Sequence, residues 1–130
     1  MNKSNSKITT IAYPKTFRTR FEHGWGCGYV IVDNYHPFAR YARIVCSVED
    51  TYYPQVKLFS EEITYYEELD NSIKIGFDTA QTYNDASHNE EWVTKKAQEL
   101  KQLIDAYSDS DVEKLKQKLI DQYTQRINNF

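Results

Sequence analysis

Two short stretches hold the residues best suited to chemistry. His23–Pro37 reads HGWGCGYVIVDNYHP and contains three of the four glycines, two of the three histidines and one of the two cysteines. His23, Cys27, His36 and Cys46 form a legal ligand set for zinc, and a cysteine near a histidine can act as an activated nucleophile. The second stretch, GFDTAQTYND over residues 76–85, supplies Asp78 and Asp85. Two carboxylates there could hold a divalent cation or serve as acid and base. A small hydrolase or metal-dependent enzyme would draw on His23, Cys27, Asp78 and Asp85.

Spacing argues against that chemistry. No Cys-x-x-Cys or His-x-x-x-His pair exists in the chain, and a thiol within or beside a strand is ordinarily a small core hydrophobe. Gly24-x-Gly26-x-Gly28 precedes a strand, whereas a phosphate cradle needs N–H groups converging at a helix N-terminus. These glycines fit positive φ or close backbone approach around a buried Trp25. Asp78 fits a side chain capping its own turn, and Asp85 a carboxylate near a helix start. The expectation is a chain with no catalytic residue, metal or cofactor.

Charge is the stronger signal. The net −3 conceals +5 over residues 1–45, −9 over 46–91 and +1 over 92–130. The acidic middle contains Glu49, Asp50, Glu61, Glu62, Glu67, Glu68, Asp70 and Asp85, interleaved with Tyr52, Tyr53, Tyr65, Tyr66 and Tyr83. Tyrosines bring large contact area at low entropic cost. The expected use of these thirteen residues is as one partner-binding face that fits a basic groove. The basic first third (Lys3, Lys7, Lys15, Arg18, Arg20, Arg40, Arg43) offers the alternative of nucleic-acid binding.

The elements that must carry these groups follow from periodicity. Residues 1–12 read as a flexible basic arm. Thr16–Glu22 alternates weakly and fits a strand or a helical turn. Gly28–Asp33, Arg43–Val48, Gln55–Phe59, Glu62–Glu68 and Ile73–Asp78 read as strands, with a short helix from Pro37 and a tight connection at Asn71-Ser72. Beyond residue 85 the period becomes helical. Ser87-x-x-Glu90 and Ser110-x-x-Glu113 have capping-box spacing. Val93, Ala97, Leu100, Ile104 and Tyr107 form one stripe, widened by Trp92 and Leu103; Val112, Leu115, Leu119, Tyr123 and Ile127 form another. The architecture expected is a single α+β domain over 1–130: an antiparallel sheet of four to five strands with a C-terminal two-helix hairpin on one face.

Gly28-Tyr29-Val30-Ile31-Val32 with His36-Pro37, then Ile63-Thr64-Tyr65, then Ile75-Gly76-Phe77-Asp78-Thr79-Ala80 and a helix opening near Trp92 resemble a group of small uncharacterised phage-encoded proteins. The resemblance spans residues 26–107, and Gly76–Ala80 is its most specific piece. That family pattern has His-Gly-Gly where Ser60-Glu61-Glu62 stands here, and a second histidine where Gln81 stands. With the charge pattern, the resemblance implies an inhibitor of a host defence nuclease, similar in logic to anti-CRISPR proteins. It would act stoichiometrically on an effector such as a Cas nuclease, with no membrane partner. No apolar run approaches the ~20 residues of a membrane span, the polar MNKSNSKITT start lacks a secretory core, and two cysteines are too few for a disulfide framework. A cytoplasmic protein is expected.

Overall fold

In the computed structural model, residues 6–13, 24–49, 51–80 and 84–129 are described. Four strands and three helices run in the order β1 (Ser6–Ala12), β2 (Gly26–Asp33), α1 (Pro37–Val48), β3 (Tyr65–Glu68), β4 (Ser72–Asp78), α2 (Glu90–Asp105) and α3 (Asp109–Asn128). The four strands form one antiparallel sheet in the order β1-β2-β4-β3. The class is α+β.

Strand alternation divides the sheet into two faces. Val30 pairs with Ile75, Val32 with Ile73 and Gly28 with Phe77, so these side chains share the inner face. They are closed over by Phe38, Ala39 and Ala42 of α1 and by Val93, Ala97, Leu100 and Ile104 of α2, all fully buried. The connection from α1 to β3 completes the core with Val56, Ile63 and Phe59, whose ring meets Phe77 edge-on at 5.6 Å. Gly28 lets α2 sit close: a Cβ there would lie 2.6 Å from the Phe77 ring and 3.3 Å from Ala97. Close approach, not positive φ, is what the glycines supply, since no glycine among the described residues has φ above zero.

Four expectations are corrected. Ser6–Ala12 is a paired edge strand, not part of a flexible arm, because Ile8, Thr9, Thr10 and Ile11 are β-branched and Ile8 faces the core. Arg43–Val48 is the second half of α1. His36 accepts the Phe38 amide as N-cap and Pro37 opens the helix, and that start signal, with Phe38 and Ala42 on one stripe, outweighs the local β propensity of RIVCSV. Gln55–Phe59 makes no ladder; a turn closed by Phe59 N–H to Val56 O at 3.2 Å places Leu58 at φ 69°. Within Glu62–Glu68 the ladder is confined to Tyr65–Glu68. Thr16–Glu22 lies outside the described residues.

The two C-terminal helices are present and joined through Ser108, with their caps shifted. Asn89 caps α2, and Ser108 caps α3 in a reciprocal box with Asp111. The α2 stripe is buried as expected. The second arm behaves differently: α3 leans on α1, and Val112 is its one buried residue. Tyr107 bridges the two helical layers, with its ring 4.9 Å from both Phe38 and Tyr41 and its hydroxyl accepting the Lys57 amide at 3.1 Å.

Candidate binding edge

Of the described basic residues of the first third, Lys7 lies on one edge strand, β1, while Arg40 and Arg43 lie on α1, and Arg43 reaches the acidic edge. Tyr65, Tyr66, Glu67 and Glu68 form that edge, β3, on the other side of the sheet from β1. Alternation sends Tyr65 and Glu67 to the outer face, opposite Gly76 and Lys74. Tyr66 and Glu68 go to the helical side, opposite Ile75 and Ile73. Consecutive glutamates therefore flank one edge without sharing a face.

Their partners differ too. Glu68 takes a bidentate grip from Arg43 of α1, with Nε–Oε1 at 3.0 Å and Nη2–Oε2 at 3.0 Å, and accepts the Tyr66 hydroxyl at 2.7 Å. The Arg43 bonds hold its carboxyl below the ordinary range. Burial first, and then the bond to Glu68, pushes the Tyr66 phenol well up. Among the described residues, Glu67 accepts the Tyr65 hydroxyl alone, at 3.0 Å. Among the described residues, no ion pair reaches Glu49, Glu61, Glu62, Glu67 or Asp70.

The remaining acidic residues and tyrosines gather around this edge. Glu49 caps the C-terminus of α1. With Glu68, and behind the effect of burial, it raises the Cys46 thiol from the last turn of that helix. Tyr52 and Tyr53 follow, 84 % and 45 % exposed. The Gln55 side chain pins their segment to Ile63: its Oε1 accepts the Ile63 amide at 3.0 Å and its Nε2 donates to the Ile63 carbonyl at 3.2 Å. Glu61 and Glu62 immediately precede that clamp, and Thr64 continues it by donating its amide to Gly76 O at 2.9 Å. Asp70 lies in the β3–β4 turn, closed by Leu69 N–H to Ser72 O at 2.9 Å.

One residue of the expected set does not join. Asp85 sits beyond the far end of β4, where Ser87 donates both its hydroxyl and its amide (2.9 Å) to Oδ1 and holds the carboxyl low. Asp50 and Tyr83 lie outside the described residues. The expectation of one face is thus replaced by an edge, because adjacent residues on a strand point to opposite sides.

The residues considered for catalysis are separated or engaged. His23 lies outside the described residues. Cys27 is on the outer face of β2, while His36 and Cys46 stand at opposite ends of α1, about 15 Å apart at 1.5 Å per residue. Among the described residues no three potential ligands gather around a metal position. Asp78 Oδ2 accepts the Thr64 hydroxyl at 2.8 Å and Oδ1 the Ala80 amide at 2.9 Å, so it caps the turn that ends β4.

The outer face holds a cluster that sequence reasoning missed. Tyr29 and Tyr65 flank Gly76, with rings edge-to-face at 5.1 Å and Lys74 Nζ 4.4 Å from the Tyr29 centroid. Burial raises the Tyr13 and Tyr29 phenols first; bonds to Cys27 and the charge of Asp78 add to it. Both are neutral hydroxyls at physiological pH. The signal was the register of Tyr29 with Gly76, which exists only once the strands are paired.

No protein family, curated protein or solved structure matches the chain.

Proposed function

We propose that this protein is a stoichiometric binding protein that inhibits a nuclease by seating its acidic β3 edge in a positively charged nucleic-acid groove. The setting in which that activity has a use is the cytoplasm of a host cell, where a phage or mobile element must silence a defence nuclease such as a Cas effector. The observation that supports this reading is that Glu61, Glu62, Glu67 and Asp70, on and beside β3, are reached by no ion pair among the described residues, while Tyr52 and Tyr53 are exposed. A nucleic-acid groove presents cations at phosphate spacing, and uncompensated carboxylates on a rigid edge can replace phosphates there. Glu68 contributes differently: its charge is met by Arg43, and it fixes the edge to α1. A charged edge also keeps β3 from pairing with other chains.

The test is titration of the purified protein into a cleavage assay with an RNA-guided nuclease, at low and at raised salt. Glu61, Glu62, Glu67 and Asp70 are changed together to Lys, with Glu68 left in place. Inhibition saturating at one equivalent, weakening with salt and vanishing in the variant supports the reading. Inhibition undiminished in the variant overturns the acidic-edge mechanism.

A further inference from the structure

The C-terminal half of α3 stands clear of the globule. Every residue from Ile120 to Asn129 is exposed, yet the helix continues to Asn128. A free helix of this length is marginal in water without tertiary packing. Ile120, Tyr123 and Ile127 are 57 %, 65 % and 52 % exposed, and their spacing of three and then four residues is the a/d spacing of helices that pair side by side. On a helical wheel Lys114, Lys118, Asp121 and Gln125 fall on the opposite side, so the apolar seam is not interrupted by charge beyond Lys116.

We infer that this seam is a dimer interface, occupied by α3 of a second copy running antiparallel about a two-fold axis near Tyr123. The seam reads Ile-Tyr-Ile in either direction, so the two-fold sets Ile120 against Ile127 of the second copy and Tyr123 beside its mate. That is the self-complementarity an isologous contact requires. Antiparallel pairing places the two globular bodies at opposite ends of the helix pair, separates the Lys116 charges and aligns the helix dipoles favourably. Parallel pairing would bring both bodies and both lysines to one end. Burying the three side chains and their flanks on both copies removes roughly 800–1,000 Å² from water, below the ~1,200 Å² of stable specific interfaces and in the range of weak, transient ones. The dimer therefore dissociates on dilution, with a Kd on the order of 10 µM.

Sedimentation velocity of the full chain from ~2 to ~200 µM tests this. The expected result is a weight-average mass rising from 15.4 kDa towards twice that value. Ile120→Lys with Ile127→Lys should remain monomeric across the range with an unchanged thermal melt, because both side chains are exposed in the monomer. Tyr35→Lys, at another exposed position, should dimerise as the parent does. In a Cys27→Ser, Cys46→Ser background, Ile120→Cys chains should cross-link on mild oxidation to Ile127→Cys chains and not to themselves. A parent monomeric at every concentration, or seam variants that associate as the parent does, would overturn the inference. Cross-linking of Ile120→Cys to itself would overturn the antiparallel arrangement.

Discussion

His36 Nε2 lies 2.9 Å from Asp105 Oδ1, while His36 Nδ1 accepts the Phe38 amide at 3.0 Å. An amide can only donate, so Nδ1 carries no proton and the ring is an Nε2–H donor to the carboxylate. The pair has the composition of a catalytic dyad, but its second nitrogen is engaged by the helix it caps. With Ser6 Oγ donating to the same oxygen at 2.7 Å, it ties β1, α1 and the end of α2 together.

His36→Ala should therefore cost about 2–3 kcal/mol, combining a lost N-cap with a lost buried bond to a charged group. His36→Asn keeps the cap and should cost about 1 kcal/mol less. Urea denaturation gives both values, and equal losses would mean that the cap contributes nothing.

Asp105 carries a pH prediction. Burial alone would raise its carboxyl, but bonds from Lys101, Ser6 and His36 outweigh burial and hold it below the ordinary range. Glu68 is lowered in the same sense by Arg43. A folded pKa below the unfolded value means that the unfolded chain takes up protons first. The stabilisation is thus complete above the unfolded value near ~4 and is lost as pH falls through the lower folded value. Asp105→Asn should be less stable than the parent at pH 7 and should lose less on moving to about pH 3. Parallel urea titrations at the two pH values decide it; identical losses would refute the depressed carboxyl.

Gly76 is held between two neighbours: a Cβ there would lie 2.4 Å from the Tyr29 ring and 2.5 Å from the Gly28 carbonyl. Gly76→Ala should destabilise by about 2–3 kcal/mol through overpacking. Adding Tyr29→Ala removes the ring but not the carbonyl, so the double variant should not recover parental stability. Full recovery in thermal unfolding would show that the aromatic ring alone enforces glycine.

Leu58 is 89 % exposed and sits at φ 69°, the third position of the turn closed by Phe59 and Val56. That backbone region costs an L-residue with a bulky side chain about 1 kcal/mol. Leu58→Asn, which tolerates the conformation, should leave the fold intact and stabilise it by about 0.5 kcal/mol. A drop in melting temperature would instead give the leucine side chain a packing role.

Much of the fold was legible because hydrophobic period reports burial directly. Val30 and Val32 on β2, Ile73, Ile75 and Phe77 beside them on the same face of β4, and Val93, Ala97, Leu100 and Ile104 along a helix are each consequences of one element meeting one core. The final stripe was misleading for the same reason. Leu115, Leu119, Tyr123 and Ile127 repeat correctly, but period cannot say whether a neighbour exists, and α3 outruns α1.

The sequence by itself determined the class, the change from strand to helix after residue 85, and the segregation of charge into a basic first third and an acidic middle. These are properties of local spacing and composition, which need no partner to be defined. The tertiary structure alone decided that RIVCSV winds into α1, that Glu67 and Glu68 part company across the sheet edge, and that His36 meets Asp105. Each of those depends on what a distant segment places alongside, and pairing register and helix packing exist only between elements already brought together.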